Sequence, residues 1–186
     1  ILDSPASPST VTVISGATLA ASPAQNYGDV LRSVPGVNVV QLSARDVNVT
    51  SRQATGTLAT SQLTLLDGRS LYLDFYGLVL WDFVPIDQRD IKQIEVVRGP
   101  ASAVWGANAL TGVVNIITKS PRETPGATNV IFNGGYFDRD AGSTVDRGGG
   151  ATYGVGVSTS QVVNDRWSYR ISAGFLNSDS YPRPVG

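Results

Sequence analysis

Apolar residues change their spacing twice along this chain, and the changes divide it. Tyr27, Val30, Leu31 and Val34 recur at i, i+3, i+4 and i+7, which predicts a short helix with one buried face, N-capped by Asn26 and stopped by Pro35-Gly36. Short runs rich in valine at Val11–Ile14, Val37–Val40 and Val47–Thr50 predict strands. Leu63–Leu66, Asp67-Gly68 and Arg69–Leu73 form a strong hairpin signal, because Asp-Gly suits a two-residue turn that needs positive φ at both positions. Ile91–Val97 and Gly112–Thr118 are two further strands, with a short turn or helix opened by Gly99-Pro100 between them. Mixed short strands and short helices make residues 1 to about 120 an α+β domain, with the Ser- and Pro-rich residues 1–10 as an extended lead-in.

Beyond Lys119 the helical period disappears. Ser120-Pro-Arg-Glu-Thr-Pro-Gly126 reads as a linker, over 121–127. From 128 to 186 three segments alternate with a period of two. Val130, Phe132, Gly134 and Tyr136 share one face of the first, and Tyr153, Val155 and Val157 of the second. In the third, Trp167, Tyr169, Ile171, Ala173 and Phe175 oppose Ser168, Arg170, Ser172 and Gly174, with Asn164-Asp165 as the turn before it. An aromatic-ended apolar face set against a small polar face is what a transmembrane barrel strand requires, with hydrocarbon on one side and a wet lumen on the other. A soluble sandwich sheet with one solvated face alternates in the same way.

Composition narrows the classes. Lys and Arg number 14 against 15 Asp and Glu, a net charge of −1, so the basic excess of a nucleic-acid binder is absent. With no cysteine and no histidine, Cys and His nucleophiles, His bases and most zinc or iron sites are excluded. An enzyme would have to work with Ser, Thr, Lys and carboxylates alone, and no spacing supports one. Asp67, Asp74, Asp82 and Asp87 fit no calcium-loop spacing, and Asp67 is accounted for by its turn. No stretch approaches the roughly 18 apolar residues of a membrane-spanning helix, so a membrane role calls for a barrel. The chain contains no methionine, and Ile1 is expected to lie downstream of a removed signal peptide or another boundary.

Four pieces of sequence point further. Ile91 to Lys119, IKQIEVVRGPASAVWGANALTGVVNIITK, closely resembles the signature of TonB-dependent outer-membrane receptor plug domains. GDVLRSVPGVNV (Gly28–Val39), the strand with VTSR (Val49–Arg52) and LLDGR (Leu65–Arg69) are similar to other plug motifs, in the family's order. The likeness runs over about residues 9–120. A phosphate-binding loop is the competing reading of the glycine-rich stretch, and it fails for want of Gly-Lys-Ser/Thr. The resemblance implies a plug over 11–120, with the alternating residues 128–186 as the first strands of an antiparallel transmembrane β-barrel. A barrel of about 22 strands needs far more chain than three strands provide, so a fragment of a transporter is expected.

The resemblance also implies roles. Arg52 and Arg98 match arginines that pair with glutamates on the barrel wall, as a half-buried guanidinium requires, and Glu95 is expected in the same charge cluster. Gln93 stands where the family often carries arginine. Tyr72 to Phe83 holds Tyr72, Phe75, Tyr76, Trp81 and Phe83, in a region that leads to an apical, ligand-facing loop. Phe75, Tyr76 and Trp81 are the candidate ligand contacts there, with the domain core as the alternative place for these aromatics. Gln53 to Thr60 is a second apical candidate, with Gln53 and Thr57 as its contacts. Ser9–Val13 faintly resembles the segment captured by the periplasmic partner TonB, although its position suits the first plug strand better. Implied partners are TonB, with ExbB and ExbD behind it, a small-molecule ligand and outer-membrane lipid. No cofactor is implied. The cargo stays open among ferric siderophores, haem, cobalamin, nickel chelates and oligosaccharides. The other class of function is a plug-like periplasmic binding or signalling module that does not transport.

Overall fold

The computed structural model describes residues 10–22, 27–41, 47–51, 62–73, 75, 78–81, 84, 86–138 and 148–179. Two compact units meet in sequence between Lys119 and Ser120.

The first unit is built on a mixed sheet. Its strands are β1 (Thr10–Ser15), β4 (Gln62–Leu66), β5 (Arg69–Ser70), β8 (Ile91–Arg98) and β9 (Gly112–Thr118), in the order β1-β8-β9-β4-β5. β4 runs parallel to β9 and the other pairs are antiparallel. The hairpin β2 (Val37–Gln41) with β3 (Val47–Ser51) and the short pair β6 (Tyr72–Leu73) with β7 (Leu78–Val79) accompany it. Helices are short: α1 (Gly16–Ala21), α2 (Tyr27–Arg32) and α3 (Ser102–Trp105).

Local chemistry explains these elements. The α2 face Tyr27, Val30 and Leu31 is buried, together with Val34. The helix closes with tight bonds, Ser33 N–H to Val30 O at 3.3 Å and Val34 N–H to Leu31 O at 3.0 Å. Pro35 explains this ending, because it disfavours helical geometry in the residue before it. Asn26, the expected cap, lies outside the described residues. Asp67 and Gly68 have φ of 47° and 80°, so both turn positions are left-handed as the hairpin requires. The Asp67 carboxylate also accepts from Thr118 N–H and Thr118 Oγ1, each at 2.8 Å, and so ties the turn to the end of β9. α1 was not marked by any apolar period; Ser15 caps it by accepting from Thr18 N–H at 3.2 Å, and Leu19 anchors it.

Alternation along β8 sends Ile94 and Val96 to one face of the sheet, where they meet Ile14, Val114 and Ile116 under α2 and the β2–β3 hairpin. Val97 goes to the other face, with Leu63, Leu65 and Val113. Tyr27 joins the larger cluster, donates from its hydroxyl to Ile86 O at 2.5 Å and lies 6.4 Å from the Trp81 ring. Burial, helped by the nearby Asp87 and Asp90 carboxylates, pushes the Tyr27 phenol pKa upward. Below about pH 10 the phenol is protonated whether the chain is folded or not. Above that the unfolded chain releases a proton that the folded one keeps, so stability falls as pH rises. Urea midpoints measured at about pH 9 and about pH 11 are expected to drop less in Tyr27→Phe than in the wild type. An equal drop in both would remove Tyr27 as a source of the alkaline loss.

The second unit is an antiparallel meander of β10 (Thr128–Asp138), β11 (Gly149–Val162) and β12 (Ser168–Ser178). The 164–165 turn is wider than a two-residue hairpin. Val163 and Asn164 N–H both donate to Trp167 O, and Asn164 Oδ1 accepts from Arg166 and Trp167 N–H.

Candidate functional site

Arg98 ends β8 and sits on the face that carries Ile94 and Val96. Its Nη2 donates to Thr12 Oγ1 on β1 at 2.8 Å, and its Nη1 donates to the Pro35 carbonyl at the turn after α2. Its Nε is buried and finds no acceptor among the described residues. One guanidinium thus holds two segments that are 86 and 63 residues away in sequence.

Glu95 does not share that cluster. It accepts from Gln93 Nε2 at 2.7 Å and from Asn115 Nδ2 at 3.3 Å, and Asn115 is its cross-strand neighbour. Within the described residues Glu95 and Arg98 therefore have separate partners. Residues three apart on a regular strand point to opposite faces, so β8 keeps the two apart. Gln93, which stands where the family often carries arginine, supplies an amide to Glu95.

A polar row crosses the sheet beside Arg98. Arg98 is paired with Gly112, and Gly112 with Gln62. Ser51 covers Gly112 so closely that a Cβ there would lie 3.2 Å from Ser51 Oγ. Ser51, Gln62 and Thr64 are buried, and Ser51 Oγ, Gln62 Nε2 and Thr64 Oγ1 lack partners among the described residues. Sequence reasoning passed over all three; the available signal was a polar residue at the alternating positions that should face the core.

The aromatic segment divides. Trp81 is 5% exposed and belongs to the main core, which is its place here rather than a ligand contact. Its ring fills the space beside Tyr27, where an indole buries a large apolar area. Phe75 is 91% exposed, between β6 and β7. Arg52, Gln53, Thr57 and Tyr76 lie outside the described residues. Among the described residues no group of acidic side chains could hold a metal ion, and no helix is long and apolar enough to cross a membrane.

The linker residues are fastened rather than loose. Arg122 Nη2 donates to Asn164 O at 3.1 Å and Asp165 O at 2.8 Å, and Ser120 N–H donates to Glu123 Oε2 at 2.7 Å. Gly126 N–H bonds Ser160 O, and Arg170 reaches Ser160 Oγ and Thr124 Oγ1. Neither Arg122 nor Arg170 stood out in the sequence, because their acceptors are backbone carbonyls and hydroxyls that have no compositional signature.

Across the meander, directly opposed residues share a face. Val130 pairs with Val157 and Val157 with Ala173; Phe132 with Val155 and Val155 with Phe175. Tyr136, Tyr153, Tyr169 and Ile171 lie on the same face, and all are exposed. The other face carries Asn133, Thr152, Gly154, Gly156, Ser158, Arg170 and Ser172. The face of Phe132, Val155 and Phe175 is thus mainly apolar and aromatic over three strands, with Thr128, Thr159, Gln161 and Asn177 toward its ends, and the face behind it is mainly polar and glycine-rich, with Ile131, Phe137 and Leu176 among its residues.

Comparison with known proteins agrees with this division. The TonB-dependent Receptor Plug Domain family matches residues 4–113. A ferric enterobactin receptor of Pseudomonas aeruginosa is 30% identical over 91% of this chain, which covers 23% of that receptor. A vitamin B12 transporter of Vibrio vulnificus is 29% identical over 73% of the chain and 22% of its own length. Among solved structures, the enterobactin-bound Q482A mutant of the Pseudomonas aeruginosa receptor superposes with a TM-score of 0.64 at 26% identity. That match covers 92% of this chain and 25% of the receptor. The siderophore receptor PirA of the same organism gives 0.59 at 27% identity, over 92% of this chain and 29% of its own. The chain spans about a quarter of the length of the receptors it matches. β10–β12 align with the start of the receptor barrel. The chain thus belongs to the TonB-dependent receptors, a transporter family rather than an enzyme family, and comprises the plug region and the early strands that follow it.

Proposed function

We propose that this chain is the plug and the first wall strands of a transporter in the bacterial outer membrane that imports a scarce nutrient, with a ferric siderophore as the class of cargo. The observation that carries the reading is the continuity of two features in one chain: a plug-family match over residues 4–113, followed by three strands whose apolar aromatic face is exposed. Such a face needs hydrocarbon against it. The siderophore class draws support from the ferric enterobactin receptor, which aligns over 91% of the chain.

Ligand binds from outside, where the exposed Phe75 is a stacking surface and Tyr76, Gln53 and Thr57 are further contacts. Arg52 meets a carboxylate of the barrel wall. No nucleotide supply exists at the outer membrane, so the work comes from the inner membrane. TonB delivers it by capturing the chain ahead of the plug and pulling. A plug-like periplasmic module without transport would have no use for an apolar face on β10–β12.

The test is uptake of radiolabelled ferric catecholates, ferric hydroxamates and cobalamin by cells carrying the full-length protein, with and without TonB. Accumulation of a ferric siderophore that is lost without TonB is expected. Accumulation indifferent to TonB, or none with any compound, would overturn the proposal. Cobalamin uptake alone would overturn the cargo class.

A further inference from the structure

We propose that the turn between β11 and β12, Val163–Trp167, is a headgroup site for a phospholipid that carries a primary ammonium beside its phosphate, the phosphoethanolamine class. The inference rests on the transport reading for the membrane, and on the turn itself for the ligand.

The turn stands at one end of the apolar face. Val163 N–H bonds Trp167 O, so these two residues oppose each other just beyond the Gln161–Tyr169 pair. Both are well exposed, Val163 at 65% and Trp167 at 70%. At the far end of the same face Ala151 is paired with Tyr136. Between Val163 and Ala151 the chain rises about 40 Å, at about 3.3 Å per residue. A strand tilt of about 40° shortens this to about 30 Å along the membrane normal, the thickness of the hydrocarbon core. Val163 and Trp167 thus mark one boundary of that core, and the tip of the turn lies among headgroups. Tryptophan is a residue type that this boundary favours. The other connection, over 139–148, is longer, which makes Val163–Trp167 the short periplasmic kind of turn.

Charge at the tip selects the headgroup. Asp165 and Arg166 are neighbours in sequence and both are exposed, yet their side chains neither pair with each other nor have another partner among the described residues. Asn164 Oδ1 accepts from Arg166 and Trp167 N–H and so fixes the backbone beneath the arginine. Arg122, held by Nη2 on the Asn164 and Asp165 carbonyls, brings a second guanidinium to the same turn. Glu123, the other carboxylate of this end, gives Oε2 to Ser120 N–H. Two guanidinia suit a phosphate, and an unpaired carboxylate beside them suits an ammonium. A headgroup that is only anionic would leave Asp165 facing like charge. A quaternary ammonium has no N–H to donate to it. The opposite end of the face carries Asp138 and Asp179 with no basic residue among the described ones, so it offers a phosphate nothing comparable.

The test places the full-length receptor in bilayers doped with phosphatidylethanolamine, phosphatidylcholine or phosphatidylglycerol, each carrying a diazirine at the glycerol end of one acyl chain. After irradiation, labelling is mapped by mass spectrometry to the peptide that holds Val163–Trp167. Phosphatidylethanolamine is expected to label it about fivefold more than either other lipid. Asp165→Asn is expected to remove the preference over phosphatidylcholine, and Arg166→Gln to lower labelling by all three. Both side chains are exposed and unpartnered among the described residues, so neither change threatens the fold. Equal labelling by the three lipids in the wild type, or a preference untouched by Asp165→Asn, overturns the site. A probe with its diazirine at the chain end reports on Phe132, Val155 and Phe175. Labelling there without lipid preference at the turn overturns the headgroup site alone, whereas no labelling there overturns the membrane reading and the site with it.

Discussion

Replacing Gly112 with alanine is expected to lower the stability of the plug by about 3 kcal/mol or more. The added Cβ would overlap the Val97 carbonyl oxygen and press on Ser51 Oγ at 3.2 Å. Neither neighbour can retreat. Val97 is in β8, which is paired on both sides, and Ser51 is fully buried. Moving either would break ladder bonds or open the larger core. The measurement is the urea midpoint of the plug, followed by fluorescence of the buried Trp81. Gly106→Ala, in the same unit, is the comparison, since nothing stands within 4 Å of a Cβ there and its cost comes from its φ of 90° alone. If Gly112→Ala costs no more than Gly106→Ala, the close approach at β9 is not a determinant of the fold.

Val155→Arg is expected to cost about 2 to 4 kcal/mol in the membrane-inserted protein, the cost of a cation near the middle of a bilayer. Val155 stands between Phe132 and Phe175, at the middle of the apolar surface. Ser172→Arg, on the opposite face, is expected to cost less than about 1 kcal/mol, because a lumen position leaves the guanidinium in water. Reversible urea unfolding from lipid vesicles measures both. Equal costs would mean that the two faces meet the same medium, and the lipid-facing assignment of β10–β12 would fail.

The fold was legible where a rule acts over a few residues. Left-handed φ at Asp67-Gly68 follows from the turn that joins β4 to β5, and the apolar stripe of α2 from a period of 3.6. The alternation after Lys119 placed Phe132, Val155 and Phe175 each on the apolar face of its own segment, and the pairing then joins the three on one face. What stayed hidden depends on partners distant in sequence. No local pattern says that β4 lies parallel to β9, or that Trp81 faces Tyr27 while Phe75 is exposed. Glu95 and Arg98 illustrate the loss most plainly. The resemblance implied one cluster with the barrel wall, whereas strand alternation, a rule already in use, sends their side chains to opposite faces of the sheet. Arg98 itself was marked for a role outside the plug. Two of its bonds turn out to be internal, because Thr12 and Pro35 come within reach only after the chain has folded.

The fastened linker has a mechanical consequence. Lys119 is held on one side, its N–H by Asp90 O and its Nζ by Arg89 O, each at 2.8 Å. Ser120 is held on the other by Glu123, and Arg122 two residues on by the carbonyls of Asn164 and Asp165. Stretching the chain on either side of the Lys119–Ser120 peptide therefore costs hydrogen bonds inside one unit or the other.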